Sequence, residues 1–197
     1  MSESVLDWID GAALSAAELH QAAAWLRALD RDYYGLFDVA GERVDTLLVG
    51  LIRDPLSEFG AGSFVRLDGV LIGFVMAFAG AQMFARRMQV LKALSKAAPD
   101  PAAARARLRG FDGAGRALPP GAWYLAKLYV AEPLRGAGLG GRLLAHFMEQ
   151  GRAQGCRLCL HVRRDNAAAL ALYRRHGFAV ADDPALSSPA YCLMEQD

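Results

Sequence analysis

Cysteine is scarce: Cys156, Cys159 and Cys192 are the three in 197 residues. A disulfide framework needs more of them, in even number. The C-x-x-C at 156–159 has the spacing of a metal or redox motif, but it lies in CRLCLHV, which reads as a strand. An odd separation along a strand turns two side chains to opposite faces. The sequence has no second C-x-x-C and no proline between the pair, so buried structural thiols are expected. Long hydrophobic runs are missing too. VLIGFVMAFAGA, residues 70–81, has 12 residues, too few to span a hydrocarbon core of about 30 Å as a helix. MSESVLDWIDG carries Glu3, Asp7 and Asp10 where a secretory leader needs positive charge ahead of an apolar stretch. A soluble, cytoplasmic protein without a membrane partner is the expectation. Excess charge of one sign is the third absence. A balance of 22 Lys+Arg against 21 Asp+Glu, net +1, excludes a strongly basic nucleic-acid binder.

What is present is 54% hydrophobic residue content in a length that suits one well-buried core. A single domain over 1–197 is expected, with a helical insertion at 82–118. Charge is uneven along the chain. Residues 1–81 hold 5 Lys+Arg against 12 Asp+Glu, residues 82–118 hold 8 against 2, and residues 119–197 hold 9 against 7. Ser15 can cap a helix in AAELHQAAAWLRALDRDYYGLF, with Leu19, Ala23, Leu26 and either Leu29 or Trp25 on its apolar side. A second helix is expected from about Glu42 to Arg53, ending before Pro55. SFVRL and VLIGFVMAF flank Asp68-Gly69, a strong hairpin signal. Residues 82–109 again read as helix, broken at Pro99 and Pro101, with Phe84, Met88 and Leu91 at helical spacing as the docking positions. No internal repeat is visible.

The last third alternates. WYLAKLYV reads as a strand and is followed by a glycine-rich turn. A helix with Leu139, Leu143 and Phe147 on one side comes next, then CRLCLHV. Such a β-α-β unit favours a parallel pair. Asn166 can cap a further helix that stops at Gly177, and FAV and AYCLMEQ are the final strands. The turn reads in two registers. Gly136, Gly138 and Gly141 match the dinucleotide fingerprint G-x-G-x-x-G. Against it, residues 131–135 separate the strand from Gly136, the next strand ends in two arginines, and 35 residues after Val162 are too few for a doubly wound sheet. An NADP-dependent oxidoreductase is therefore the weaker reading.

The other register is R-x-x-G-x-G, from Arg135 through Gly138 to Gly140. With N-x-x-A-x-x-L-Y-x-x-x-G-F, from Asn166 through Ala169, Leu172, Tyr173 and Gly177 to Phe178, it resembles the GNAT superfamily of acyl-CoA-dependent N-acyltransferases. The resemblance is specific over residues 123–180. It implies an α/β fold with a mixed, mainly antiparallel sheet, a central splayed parallel strand pair, flanking helices and, in this chain, the helical insertion. It also implies an N-acetyltransferase that takes acetyl-CoA as co-substrate and passes the acetyl group directly to an amine acceptor. A helix start rich in glycine suits a pyrophosphate, because unpaired N–H groups converge there and no Cβ blocks the approach. Arg135, Gly136, Ala137, Gly138, Leu139, Gly140 and Gly141 would cradle the phosphates. Leu128, Val130, Asn166 and Tyr173 would line the pantetheine and acyl end, and Tyr173 would be the general acid.

Arg163, Arg164, Arg174 and Arg175 form a basic cluster that suits a 3′-phosphate or plain solvation. No carboxylate lies on YLAKLYV. His161 is the best-placed titratable residue for a base, or is structural; a water chain, or an amine delivered already neutral, is the alternative. The three cysteines carry no cue for a covalent acyl intermediate. By family analogy Tyr33, Tyr34 and Phe37 border the acceptor, and the acidic residues 1–81 would draw a cationic amine. The insertion is expected to dock on residues 1–81 and shape the acceptor site, with homodimerisation the secondary outcome. An acyl-CoA sensor without catalysis is the alternative.

Overall fold

A computed structural model describes residues 6–111 and 117–196. Its elements are β1 (Leu6–Asp10), α1 (Ala16–Leu29), α2 (Arg31–Gly35), α3 (Gly41–Arg53), β2 (Gly62–Leu67), β3 (Val70–Ala79), α4 (Met83–Ala97), α5 (Pro101–Arg109), β4 (Ala122–Val130), α6 (Leu139–Ala153), β5 (Arg157–Arg163), α7 (Ala167–Arg175), β6 (Ala179–Val180) and β7 (Tyr191–Gln196). The strand order is β1-β2-β3-β4-β5-β7-β6, antiparallel in its described ladders except for the parallel pair β4–β5. The chain clusters into two compact units, Met1–Met76 with Met83–Phe111, and Ala77–Gln82 with Asp112–Asp197.

In the first unit local signals set the element ends. Ser15 accepts from the Glu18 N–H while Glu18 accepts from the Ser15 N–H, a reciprocal capping box that starts α1. Asp68 and Gly69 both have positive φ, 51° and 80°, as the tight turn between β2 and β3 requires. The helix expected to continue to Phe37 breaks at Asp30, which leaves helical geometry at φ −124°, ψ 40°. A short acidic side chain competes poorly as a helix former. β1 is an element the sequence pattern did not announce. It is five residues long, carries Asp7 and Asp10, and is recognisable through its antiparallel register with β2.

Residues 83–111 of the insertion belong to this first unit. Asp100 caps α5 with Pro101 in its first turn, the favoured place for a proline. The docking positions differ from those expected: Phe84 is 76% exposed, and the buried stripe is Val90, Leu94 and Ala97. Polar anchors set that face. Arg86 donates to the Pro55 and Ser57 carbonyls at 2.9 and 2.8 Å, and Arg87 meets the buried Glu58 carboxylate at 3.4 Å. Arg107 donates to the Leu36 carbonyl at 2.7 Å. Residues 112–116 of the expected insertion lie outside the described residues.

In the second unit, α6 buries Leu139, Leu143 and Phe147 as its spacing predicts. Gly177 has φ 88° and ends α7, after which the Phe178 ring returns edge-on to Tyr173 at 6.1 Å. Cys156 precedes β5 and is only half-buried, so the expectation of two strand thiols holds for Cys159 alone. Cys156, Cys159 and Cys192 are free.

Candidate active site

The parallel ladder between β4 and β5 runs from Ala122↔Arg157 to Leu125↔Leu160 and stops. β4 continues to Val130 and β5 to Arg163. Beyond Leu125 the two strands therefore diverge, and the facing backbone of residues 126–130 is not used by β5. Leu128 is half-buried there and Val130 is 8% exposed.

After Val130 a 3-10 turn, Glu132–Leu134, leads to Arg135 in extended geometry and then to the glycines. Gly136 and Gly138 have φ 85° and 79°, and a Cβ at either would meet no protein atom within 4 Å. Open space and left-handed backbone coincide where a ligand would approach. Gly140 and Gly141 meet the protein differently. A Cβ on Gly140 would fall 3.5 Å from Leu172 Cδ2, an ordinary contact, whereas one on Gly141 would crowd His176 Nε2 at 3.1 Å, so Gly141 lets α6 sit close to the end of α7. Ala137 lies exposed between the first two glycines, and Leu139 opens α6 with its side chain in the core. Gly138 caps α6 in left-handed geometry without a side-chain hydrogen bond. Its carbonyl receives the Gly141 and Arg142 N–H groups. The N–H groups ahead of Gly141 have no helix carbonyl to reach and lie at the positive end of the helix dipole.

Arg135 is folded back onto β4. Its Nε donates to the Val130 carbonyl at 3.0 Å, its guanidinium carbon lies 5.3 Å from the Tyr129 ring centroid, and Glu132 is 3.4 Å away. The Val130 carbonyl is thus already engaged by Arg135, while half of the Arg135 side chain stays exposed. Asn166 caps α7, accepting the Ala169 N–H at 3.1 Å. Of the basic cluster, Arg163 is paired with Asp165 at 2.7 Å and Arg164 donates to the Ser188 carbonyl at 3.1 Å. Arg174 and Arg175 are exposed.

Tyr173 is 9% exposed on α7. Burial pushes its phenol up to about 12, and the neighbouring Tyr124 adds to the rise. Tyr124 was not singled out by its sequence context. Its hydroxyl lies 3.3 Å from His161 Nδ1, and His161 Nε2 lies 2.9 Å from the Leu186 carbonyl. Strand alternation places Tyr124 and His161 on one face only once the register is known, and register is not legible in either strand alone. In the first unit Tyr34 and Phe37 are buried at 3% and 0% exposure, and Tyr33 meets Tyr34 and Phe37 edge-on and Phe111 at a tilt. This aromatic group is core first. Among the described residues no cluster of His, Cys, Asp and Glu could hold a metal ion. No helix of the described residues is long and apolar enough to cross a membrane.

The acetyltransferase (GNAT) family model matches residues 22–178, and the chain belongs to that family. No curated protein matches it. Among solved structures, the fold is similar to that of an acetyltransferase at TM-score 0.73 and 20% identity, covering 98% of this chain and 99% of that one. An N-acetyltransferase from Staphylococcus aureus aligns at TM-score 0.62 and 13% identity, over 91% of this chain and 93% of the other. The PaiA N-acetyltransferase from Thermoplasma acidophilum, solved in complex with coenzyme A, aligns at 0.53 and 15%, over 98% and 99%. At these identities the likeness concerns the fold.

Proposed function

We propose that the protein is an N-acetyltransferase that transfers an acetyl group from acetyl-CoA directly to an amine. The observation that carries this reading is the divergence of β4 from β5 after Leu125, followed along the chain by the glycine-rich start of α6. A diphosphate suits that helix end on charge and on space. The pantetheine is an extended amide chain, and residues 126–130 offer strand backbone to it as a partner. Tyr173 supplies a hydroxyl for the leaving thiolate. Burial of Cys159 supports direct transfer. The Cys159 thiol is fully buried and pushed up to about 12, chiefly by desolvation, which leaves no thiolate to attack a thioester. Coenzyme A in the PaiA structure supports the same donor.

The charge argument for a cationic acceptor weakens in the folded chain. Residues 1–76 and 83–111, which form one unit, together carry 12 Lys+Arg and 13 Asp+Glu. The acidic segment is nearly neutralised by the insertion docked on it, so long-range attraction no longer selects the acceptor.

Calorimetric titration with acetyl-CoA, followed by thiol release across a panel of small, polyamine and peptide amines, tests the reading. Saturable acetyl-CoA binding with amine-dependent thiol release is expected. Binding without release under every amine would convert the protein into an acyl-CoA sensor, and NADP binding in place of acetyl-CoA would overturn the donor assignment.

A further inference from the structure

The second unit carries a cavity that the acyl-transfer reading does not use. It measures about 410 Å³ and lies at the loop between β6 and β7, with Arg164, Asp182, Ser187 and Ser188 as polar lining and Val180 and Pro184 on its apolar side. That volume is toward the lower end of small-molecule sites, so it suits a short ligand rather than a coenzyme. Two backbone ties set its position. β5 and β7 stay paired as far as Arg163↔Tyr191, and the Arg164 N–H continues the ladder to the Ala190 carbonyl at 2.9 Å. Leu186, between Pro184 and Ser187, places its carbonyl 2.9 Å from Nε2 of His161, the first β5 residue beyond the parallel pairing with β4. The loop that bears the cavity is therefore fastened where the two strands part.

The polar lining is held in place with donors to spare. Arg164 Nε donates to the Ser188 carbonyl at 3.1 Å, which fixes the guanidinium, and among the described residues Nη1 and Nη2 have no partner. Ser187 Oγ accepts the Leu193 N–H and Ser188 Oγ accepts the Tyr191 N–H, each at 3.1 Å. Each hydroxyl thus keeps its own hydrogen to donate. Ser188 is 8% exposed, and a buried donor calls for an acceptor. A guanidinium edge beside hydroxyl donors is a set that a carboxylate satisfies. Asp182 is the other charge on the lining, exposed and without a partner among the described residues. Its neighbour Asp183 is occupied with the Ala185 N–H at 2.8 Å, and Arg163 with Asp165 at 2.7 Å. One cation and one anion on the lining favour a zwitterion over a phosphate, whose charge Asp182 would repel.

Resting on the acyl-transfer reading, we infer that the acceptor is a small amine that also bears a carboxylate, and that this cavity holds the carboxylate against Arg164. Asp182 meets the ammonium form of such an acceptor as it arrives, and Val180 and Pro184 cover a short aliphatic chain. The carboxylate takes no part in the transfer. The amine nitrogen bonds to the acyl carbon as the carbon–sulfur bond breaks, and the one proton shed by nitrogen balances the one taken up by sulfur. Holding the far end of the acceptor limits where its nitrogen can reach, and the same grip before and during reaction appears mainly in KM.

The test measures thiol release from acetyl-CoA with matched amines that differ within each pair in the carboxylate alone: glycine with methylamine, β-alanine with ethylamine, and lysine with cadaverine. In at least one pair the carboxylate-bearing amine should exceed its partner in kcat/KM by about ten-fold or more, carried by KM. Arg164→Gln should shrink that ratio about ten-fold, because the charge-assisted bonds are lost, while acetyl-CoA affinity in calorimetric titration stays within about two-fold. Ala181→Leu fills the cavity from its lining and keeps every charge, so it should shrink the ratio too. An unchanged ratio in Arg164→Gln overturns the inference. So does a loss of acetyl-CoA affinity in that variant with the ratio kept, which would assign Arg164 to a donor phosphate. Should Arg164→Gln not fold, Ala181→Leu decides alone, and an unchanged ratio there is the overturning result. Turnover with no preference for the carboxylate in any pair overturns the acceptor class and leaves acyl transfer standing. Wild-type protein that releases no thiol with any amine overturns both.

Discussion

A single hydroxyl carries most of the proposed chemistry. Tyr173→Phe removes that oxygen and leaves the ring against Phe178, so the fold and acetyl-CoA affinity should persist. kcat should fall by about 10²- to 10⁴-fold, the usual worth of a placed acid; full turnover would reduce Tyr173 to packing. Glu18 is the second instructive residue. Arg66 holds it through Nε at 2.7 Å and Nη2 at 2.8 Å, and Ser15 adds its N–H and hydroxyl. The Arg66 hydrogen bonds are the largest influence lowering its carboxyl from 4.5 to about 2, against a smaller rise from burial. A folded-state value below the unfolded one means that the stabilisation is complete above the ordinary carboxylate range and is lost as pH falls through about 2. Urea denaturation of wild type and Glu18→Gln should therefore show a gap at neutral pH that closes on acidification. A gap independent of pH would remove Glu18 as its origin. Ser15 as a cap was legible in sequence because capping is a local, three-residue matter. The coupling of Glu18 to Arg66, 48 residues away, was not.

At the scale of elements, the glycine turn divides its work between conformation and packing. Gly138→Ala forces a Cβ onto a backbone at φ 79°, which costs roughly 1–2 kcal/mol, and it reshapes the start of α6. Acetyl-CoA affinity should drop about ten-fold or more, equivalent to about 1.4 kcal/mol. Gly140→Ala is the matched control. Its Cβ would lie at ordinary contact distance, 3.5 Å from Leu172, and alanine inside a helix is favoured over glycine by roughly 0.5–1 kcal/mol. That variant should melt no lower than wild type and keep its affinity in calorimetric titration. Equal losses in the two variants would count against the phosphate cradle. The spacing R-x-x-G-x-G made the turn visible, yet it did not tell that Gly136 and Gly138 bend the chain while Gly141 packs against His176. The hairpin at Asp68-Gly69 and the helix stop at Gly177 were legible for the same reason: each demands positive φ from a particular residue. β1 was not, because a five-residue strand with two aspartates gains its stability from pairing with β2.

Across the whole molecule, the insertion behaves as core. Leu94 is fully buried and Val90 is 3% exposed, so Leu94→Ala should cost about 2–5 kcal/mol. Removing residues 84–116 would uncover the Pro55, Ser57 and Leu36 carbonyls as well. Point substitution is thus the sharper probe. Chemical denaturation of Leu94→Ala checks the expectation, and a loss below about 0.5 kcal/mol would show the helix to be superficial. Arg86→Ala should act in the same direction by leaving two carbonyls without their shared donor.

Sequence by itself determined the class of fold, the glycine turn, the capped helix that carries Tyr173, and the interruption of the insertion at its prolines. These depend on periodicity, on backbone conformations open to few residue types, and on motif spacing, all of which act over a few residues. Tertiary structure alone decided the rest. Strand register made Tyr124 a partner of His161, packing turned Val90 and Leu94 rather than Phe84 inward, and docking of basic helices on an acidic segment cancelled its charge. Each of those outcomes joins groups far apart in the chain, and its free energy exists only when distant surfaces have already met.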